Sequence, residues 1–156
     1  MLKRKSYRRE HAFTLIELLV VISIIGILVA VSIFGLSGAR EAARDARRKS
    51  DLELIKAGLE IYKADCNTYP NLSNPLPQTL AGTGTPASCS IANTYIAEIP
   101  SDPISSTRSY KYVYTASTNT YILCAALEND PTPAMDTSAC GSSGCTTNCN
   151  YVITNP

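Results

Sequence analysis

A chain of 156 residues with 45% hydrophobic and 17% charged residues has room for one folded domain, and its formal net charge of +1 hides an uneven distribution. Residues 1–12 hold five of the 14 Lys and Arg side chains and one of the 13 acids, so the remainder carries 9 cations against 12 anions. That remainder lacks the basic footprint that displaces phosphate counterions, which argues against general nucleic-acid binding. The single histidine, His11, sits in the basic head, and no nucleophile, base and orienter arrangement is visible, so no enzyme is expected.

The chain opens with Lys3, Arg4, Lys5, Arg8 and Arg9 against Glu10 alone. Residues 13–36 are then almost wholly apolar, and a helix over them would extend about 36 Å, enough to cross a hydrocarbon core of about 30 Å. Short basic flanks stay on the cytoplasmic side, so the expected orientation is N-in, C-out. A buried core helix is a poor alternative, because the rest of the chain is too small to wrap it. A secretory signal is the other alternative: "SGA" at residues 37–39 offers small residues, and that route would release a chain starting at Arg40. Its apolar core, however, is about 7–15 residues and carries no acid, whereas this segment is longer and contains Glu17. An acid at mid-bilayer costs roughly 2.5–3.5 kcal/mol, less near the end of a span, so Glu17 permits insertion while favouring a cationic partner.

The stretch "AFTLIELLVVISIIGILVAV", residues 12–31, resembles the N-terminal signature of type IV pilins and pseudopilins: a small residue, Phe-Thr-Leu-Ile-Glu, then an apolar helix. The resemblance covers residues 8–36. It implies cleavage between Ala12 and Phe13 by an inner-membrane prepilin peptidase, N-methylation of Phe13, and an assembly role for Glu17 as the fifth residue of the mature chain. The family usually has Gly where this chain has Ala12, whose extra methyl would slow cleavage if close backbone approach is required. The new amine of one subunit could then pair with Glu17 of a neighbour, relieving two desolvation penalties and setting axial register. The alternative is that Glu17 snorkels to the interface.

Residues 39–65 carry no proline and turn amphipathic, with Leu52, Ile55, Leu59 and Tyr62 recurring at spacings of three and four. The pattern predicts a helix from Phe13 to near Asp65, about 75 Å long, whose second half has one apolar face. Asp45 with Lys49, Arg47 with Asp51, and Lys56 with Glu60 are one turn apart and are expected to pair. Arg44, Arg47, Arg48 and Lys49 read as a solvated face, or one touching anionic lipid before assembly. Gly26, Gly35 and Gly38 each weaken the helix by about 1 kcal/mol and are the points where it could melt on filament extension.

"NTYPNLSNPLPQTLAGTGTPAS", residues 67–88, reads as loop, and a short helix is expected around Cys89–Ala97. "YIAEIPSDP" resembles a segment before the sheet in major pseudopilins and related pilins, with Pro100 and Pro103 bracketing Asp102. Tyr110, Tyr112 and Tyr114, then Tyr121, Leu123, Ala125 and Leu127, alternate as two strands around a polar turn, the tyrosines forming a packing surface. "NYVITNP" adds a third strand. The predicted fold class is α+β: a long N-terminal helix packed on a small antiparallel sheet. Its parts are a cleaved basic leader (1–12), a transmembrane and assembly helix (13–36), an amphipathic continuation (37–65) and a disulfide-containing head (66–156).

Six cysteines, Cys66, Cys89, Cys124, Cys140, Cys145 and Cys149, all fall behind the apolar segment, where an even number reads as up to three disulfides formed outside the cytoplasm. Metal binding is the rival, but "CGSSGCTTNC" lacks C-x-x-C pairs and histidine. Cys66 with Cys89, and Cys124 with one of the last three, is one of fifteen connectivities. Glu128, Asp130 and Asp136 could hold calcium, as a loop does in some major pseudopilins, although their spacing is not an EF-hand. Otherwise no cofactor is expected. Asn71 lies in an Asn-Leu-Ser glycosylation acceptor.

The leading expectation is a prepilin-like precursor of a type IV pilus subunit, serving adhesion or motility. The alternatives are the major pseudopilin of a type II secretion or DNA-uptake system and a membrane-anchored or minor tip adhesin. Expected partners are identical or related pilin subunits, the prepilin peptidase, an inner-membrane assembly platform, and membrane lipid before assembly. The precursor would lie in the inner membrane and the mature form in a cell-envelope or extracellular filament.

Overall fold

The computed structural model describes residues 13–141 and 145–155; the leader at 1–12, including His11 and Ala12, lies outside the described residues. Helix α1 (Leu15–Cys66) is followed by strands β1 (Leu80–Ala81), β2 (Thr94–Ile96), β3 (Lys111–Thr115), β4 (Thr120–Ala125) and β5 (Tyr151–Thr154), with a 3-10 turn at Ser138–Cys140. The chain divides into two compact units, one ending at Ala39 and the other beginning at Arg40.

The first unit is the apolar half of α1. Its best 18-residue window has a mean hydropathy of 2.9, and none of that window is buried, so it is long and apolar enough to cross a membrane. Among the described residues sixteen large apolar side chains between Phe13 and Leu36 are exposed, from Val21 at 47% to Leu15 at 81%. At roughly 1.5–3 kcal/mol per side chain, their exposure to water would outweigh the total stability of about 5–15 kcal/mol of a typical domain. Lipid or other apolar helices must cover them. The two serines do not interrupt this surface, because Ser23 donates to the Leu19 carbonyl at 2.7 Å and Ser32 to that of Leu28 at 2.8 Å. Gly26, Gly35 and Gly38 are helical, and open space surrounds each.

In the second unit, α1 from Arg40 onward buries Leu52, Ile55, Leu59 and Tyr62 against two sheets. The larger sheet has the order β3-β4-β5, antiparallel throughout, with Tyr112 opposite Leu123 and Leu123 opposite Ile153. β4 is buried on both faces. Tyr121, Leu123 and Ala125 join the core against α1, while Ile122 and Cys124 face a second cluster with Cys140, Cys145 and Cys149. The sheet tyrosines are anchored on helix acids: Tyr110 donates to Asp51 at 2.7 Å and Tyr121 to Glu60 at 3.0 Å. Burial, reinforced by those acids, pushes both phenols well above their ordinary range.

The segment read as loop contains β1, which pairs with β2. The helix expected around Cys89–Ala97 does not form, because its backbone is committed elsewhere. The Cys89 carbonyl accepts from Gly84 N at 2.7 Å, the Asn93 carbonyl accepts from Gly82 N at 3.0 Å, and Thr94–Ile96 is β2. Gly82 permits this close approach: a Cβ there would lie 2.1 Å from the Ser90 carbonyl oxygen. Gly82→Ala is expected to destabilise the head by about 1–3 kcal/mol, measured as a lower thermal midpoint of the detergent-solubilised chain.

The cysteines pair as Cys66–Cys89, Cys124–Cys140 and Cys145–Cys149, and none is free among the described residues. Cys66–Cys89 ties the end of α1 to the β1–β2 turn across a sequence separation of 23. In the chain-entropy picture a loop of that size is worth about 3 kcal/mol. Replacing both Cys66 and Cys89 with Ser is expected to lower unfolding stability by that order, read by denaturant titration.

Candidate functional site

The start of α1 is where the sequence places Phe13 and Glu17. Thr14 immediately precedes the first helical residue and acts as its cap: its Oγ1 accepts from the Glu17 N–H at 3.3 Å. In return, the Glu17 carboxylate accepts from the Thr14 N–H at 2.9 Å and from the Thr14 hydroxyl at 2.6 Å. This is a reciprocal capping box, which satisfies backbone donors that a helix start leaves unpaired in an apolar setting. The signal is legible in the sequence as Thr14-x-x-Glu17, the residue types and spacing of a capping box. The box also aims the carboxylate at the backbone next to Phe13, where a cleaved chain would carry its amine. The acid sits at the positive end of the helix dipole as well.

A second constellation fixes α1 to the head and corrects the solvated-face reading for Arg48 and, in part, Arg44, while Arg47 and Lys49 are exposed as that reading expects. Arg48 is fully buried and Asp102 is 3% exposed. The Arg48 guanidinium grips Asp102 with Nε at 2.7 Å and Nη2 at 3.1 Å, while Nη1 donates to Asp45 at 2.7 Å and Glu128 at 2.8 Å. Arg44 donates its Nε to Glu128 at 2.6 Å and closes a second contact with the other oxygen. Asp45 accepts from the backbone N–H groups of Glu128 at 2.8 Å and Asn129 at 2.9 Å. The expected Asp45–Lys49 pair is thereby replaced. Lys56–Glu60 is not formed either, since Glu60 accepts from Tyr69 and Tyr121; Arg47–Asp51 is present, though long, at 4.0 Å.

Three chain segments therefore meet on one guanidinium: the helix, the Pro100–Pro103 turn and the loop after β4. Among the described residues no buried side-chain nitrogen or oxygen lacks a partner. The legible clue was position, because Asp45 and Arg48 extend the Leu52, Ile55, Leu59, Tyr62 stripe at the same three-four spacing.

The charges respond accordingly. Burial pulls Arg48 down, but Asp102, Glu128 and Asp45 outweigh it and hold its pKa above the ordinary value. Burial raises Asp45, yet the amides of Glu128 and Asn129 together with Arg48 leave it below the usual carboxylate range. The Arg44 guanidinium, then Arg48, lowers Glu128 to about 2. A depressed folded pKa stabilises fully above the unfolded value near 4.5 and stops doing so as pH falls towards 2. The head is expected to lose roughly 2–3 kcal/mol over that interval in urea titrations, with Glu128→Gln flattening the slope.

The three candidate calcium ligands do not converge. Glu128 is held by two arginines, Asp130 accepts from Asn150 at 2.7 Å, and Asp136 caps the 3-10 turn through Ser138 N at 3.0 Å. Among the described residues they form no common ligand group, and the positive charge beside Glu128 comes from the chain itself.

Comparison with known proteins bears on both constellations. Residues 7–36 match the prokaryotic N-terminal methylation motif, and residues 36–138 match type II secretion system (T2SS), protein G. Type II secretion system core protein G of Aeromonas hydrophila is 36% identical over 98 residues, which is 62% of this chain and 68% of that protein. Its counterpart in Escherichia coli strain K12 is 32% identical over 97 residues, 61% and 67% of the two chains. That of Vibrio cholerae is 30% identical over 100 residues, 64% and 68%. No solved structure matches the chain significantly. The capped, apolar start of α1 lies in the methylation motif, and the buried Arg48 cluster lies in the region matching protein G. The chain is a pilin-like structural subunit, not an enzyme, and it belongs to the type II secretion system protein G family.

Proposed function

We propose that this chain is the precursor of a major pseudopilin, processed between Ala12 and Phe13, methylated at Phe13, and polymerised through α1 into the periplasmic filament of a type II secretion system. The observation that carries this reading is the direct abutment, in one chain, of a methylation motif at residues 7–36 and a protein G region at residues 36–138. The type IV pilus expected from the N-terminal signature has support from that shared segment only, whereas the head favours secretion.

In this reading the precursor waits in the inner membrane, N-in and C-out, with its apolar half in lipid. The prepilin peptidase removes the leader, and an assembly platform draws the helix into a bundle of identical and related subunits. Lipid gives way to sister helices, so the sixteen exposed apolar side chains remain covered throughout. The amine of Phe13 in one subunit meets Glu17 of its neighbour. Asp102, Asp45 and Glu128 keep each head rigidly clamped to the helix that carries it.

Mass spectrometry of the mature N-terminus, combined with deletion of the gene in its host, tests the reading. The expected result is a chain beginning at N-methylated Phe13, with secreted proteins accumulating in the deletion strain while surface pili persist. Intact secretion with lost pili overturns the secretion assignment, and a mature chain retaining Met1 overturns processing. Ala12→Gly is expected to speed leader removal in a pulse-chase measurement.

A further inference from the structure

Three of the four sulfurs in the second cluster, those of Cys124, Cys140 and Cys149, are closer to one another than two independent staples require. Cys124 is fully buried in β4, Cys140 ends the 3-10 turn, and Cys145 and Cys149 flank the turn before β5. The bridges are Cys124–Cys140 and Cys145–Cys149, yet the Cys149 sulfur lies within 4.8 Å of both sulfurs of the other bridge. A thiolate at that distance needs only a small side-chain adjustment to attack.

We propose that Cys149 is the internal nucleophile of a thiol–disulfide exchange site, which takes Cys124 from Cys140 whenever the Cys145–Cys149 bridge is open. The Cys149 thiolate attacks Cys124 Sγ; the Cys124–Cys149 bond forms, the Cys124–Cys140 bond breaks, and its electron pair leaves on Cys140, which then takes up a proton. No net oxidation or reduction accompanies this step. In the native chain, opening Cys145–Cys149 requires a dithiol reductant, which supplies two electrons and two protons and departs as its own disulfide.

Two features select Cys124 as the target. The Cys149 segment is already pinned beside β4, because Val152 pairs with Cys124 and Asn150 N donates to the Ala125 carbonyl at 3.1 Å. A Cys124–Cys149 bridge therefore joins segments that β4–β5 pairing already holds side by side. Lys111, the β3 residue opposite Cys124, places its ammonium 2.7 Å from the Cys140 carbonyl oxygen. That contact holds a cation at the residue whose sulfur leaves, and a neighbouring cation favours a thiolate leaving group. The cluster can thus redistribute its bridges within the folded head, which lets oxidative maturation correct a mispaired cysteine without unfolding β4.

The test uses the full chain in detergent. Cys145→Ser leaves Cys149 without its partner, and Cys140→Ser leaves Cys124 free to attack Cys149 and expel Cys145. After acid quenching, alkylation and peptide mapping under non-reducing conditions, both variants are expected to converge on the same non-native Cys124–Cys149 bridge. The alkylated thiol is then Cys140 in the first variant and Cys145 in the second. Lys111→Gln added to Cys145→Ser is expected to slow the exchange several-fold. If the variants fail to fold, native chain treated with one equivalent of dithiothreitol gives the same readout: a Cys124–Cys149 product supports the proposal. It is overturned by Cys149 remaining the alkylated thiol with Cys124–Cys140 intact, or by a bridge from Cys149 to Cys140.

Discussion

Arg48→Met is expected to destabilise the head by about 3–5 kcal/mol, because it strands Asp102, Asp45 and Glu128 in a buried site with no central cation. For a unit of this size that corresponds to a fall of roughly 10–20 °C in thermal midpoint. Arg48→Lys retains the charge but cannot reproduce a bidentate grip on Asp102 while reaching Asp45 and Glu128, so it is expected to recover only part of the loss. Adding Asp102→Leu to Arg48→Met removes one of the stranded acids and is expected to regain stability, since an apolar pair of similar volume needs no desolvated partner. A midpoint for Arg48→Met within 2 °C of the native chain would show that the cluster does not hold the head.

That cluster also marks where the sequence was legible and where it was not. The apolar half of α1 and the stripe from Leu52 to Tyr62 follow from periodicity alone, because one face must be buried and the spacing says which. Strands β3 and β4 follow from alternation. Periodicity read through hydrophobicity stops at Leu52, however, and so misses Asp45 and Arg48 on the same face: a buried ion network looks like surface until its partners are known. Those partners, Asp102 and Glu128, lie 54 and 80 residues away from Arg48 in sequence. The failed helix at Cys89–Ala97 has a nearer origin, since the Cys89 and Asn93 carbonyls accept from Gly84 and Gly82 in the preceding segment instead of from a helical turn. Cysteine number and position announced disulfides but could not announce that Cys124 would close the second face of β4 with three more sulfurs. Local chemistry, by contrast, was available and overlooked in Thr14-x-x-Glu17.

Glu17→Gln separates the two roles that the start of α1 gives its acid. Glutamine retains the capping box, because its side-chain oxygen still accepts from the Thr14 N–H and its position in the first turn is unchanged. What it loses is the negative charge that a neighbour's Phe13 amine would need. If pairing of amine and acid drives subunit docking, Glu17→Gln is expected to insert in the membrane and be processed normally, yet to lower the yield of sheared filaments by tenfold or more. Thr14→Val makes the opposite cut. It removes the hydroxyl that caps α1 while leaving the charge, and is expected to cost the helix start about 1 kcal/mol with filament yield reduced only a few-fold. Should Glu17→Gln assemble as abundantly as the native chain while Thr14→Val fails, the carboxylate serves the helix rather than its neighbour. The physical difference is one of partner: a cap is satisfied within a single subunit, whereas an unpaired terminal amine in an apolar bundle can be neutralised only by an acid supplied from the next.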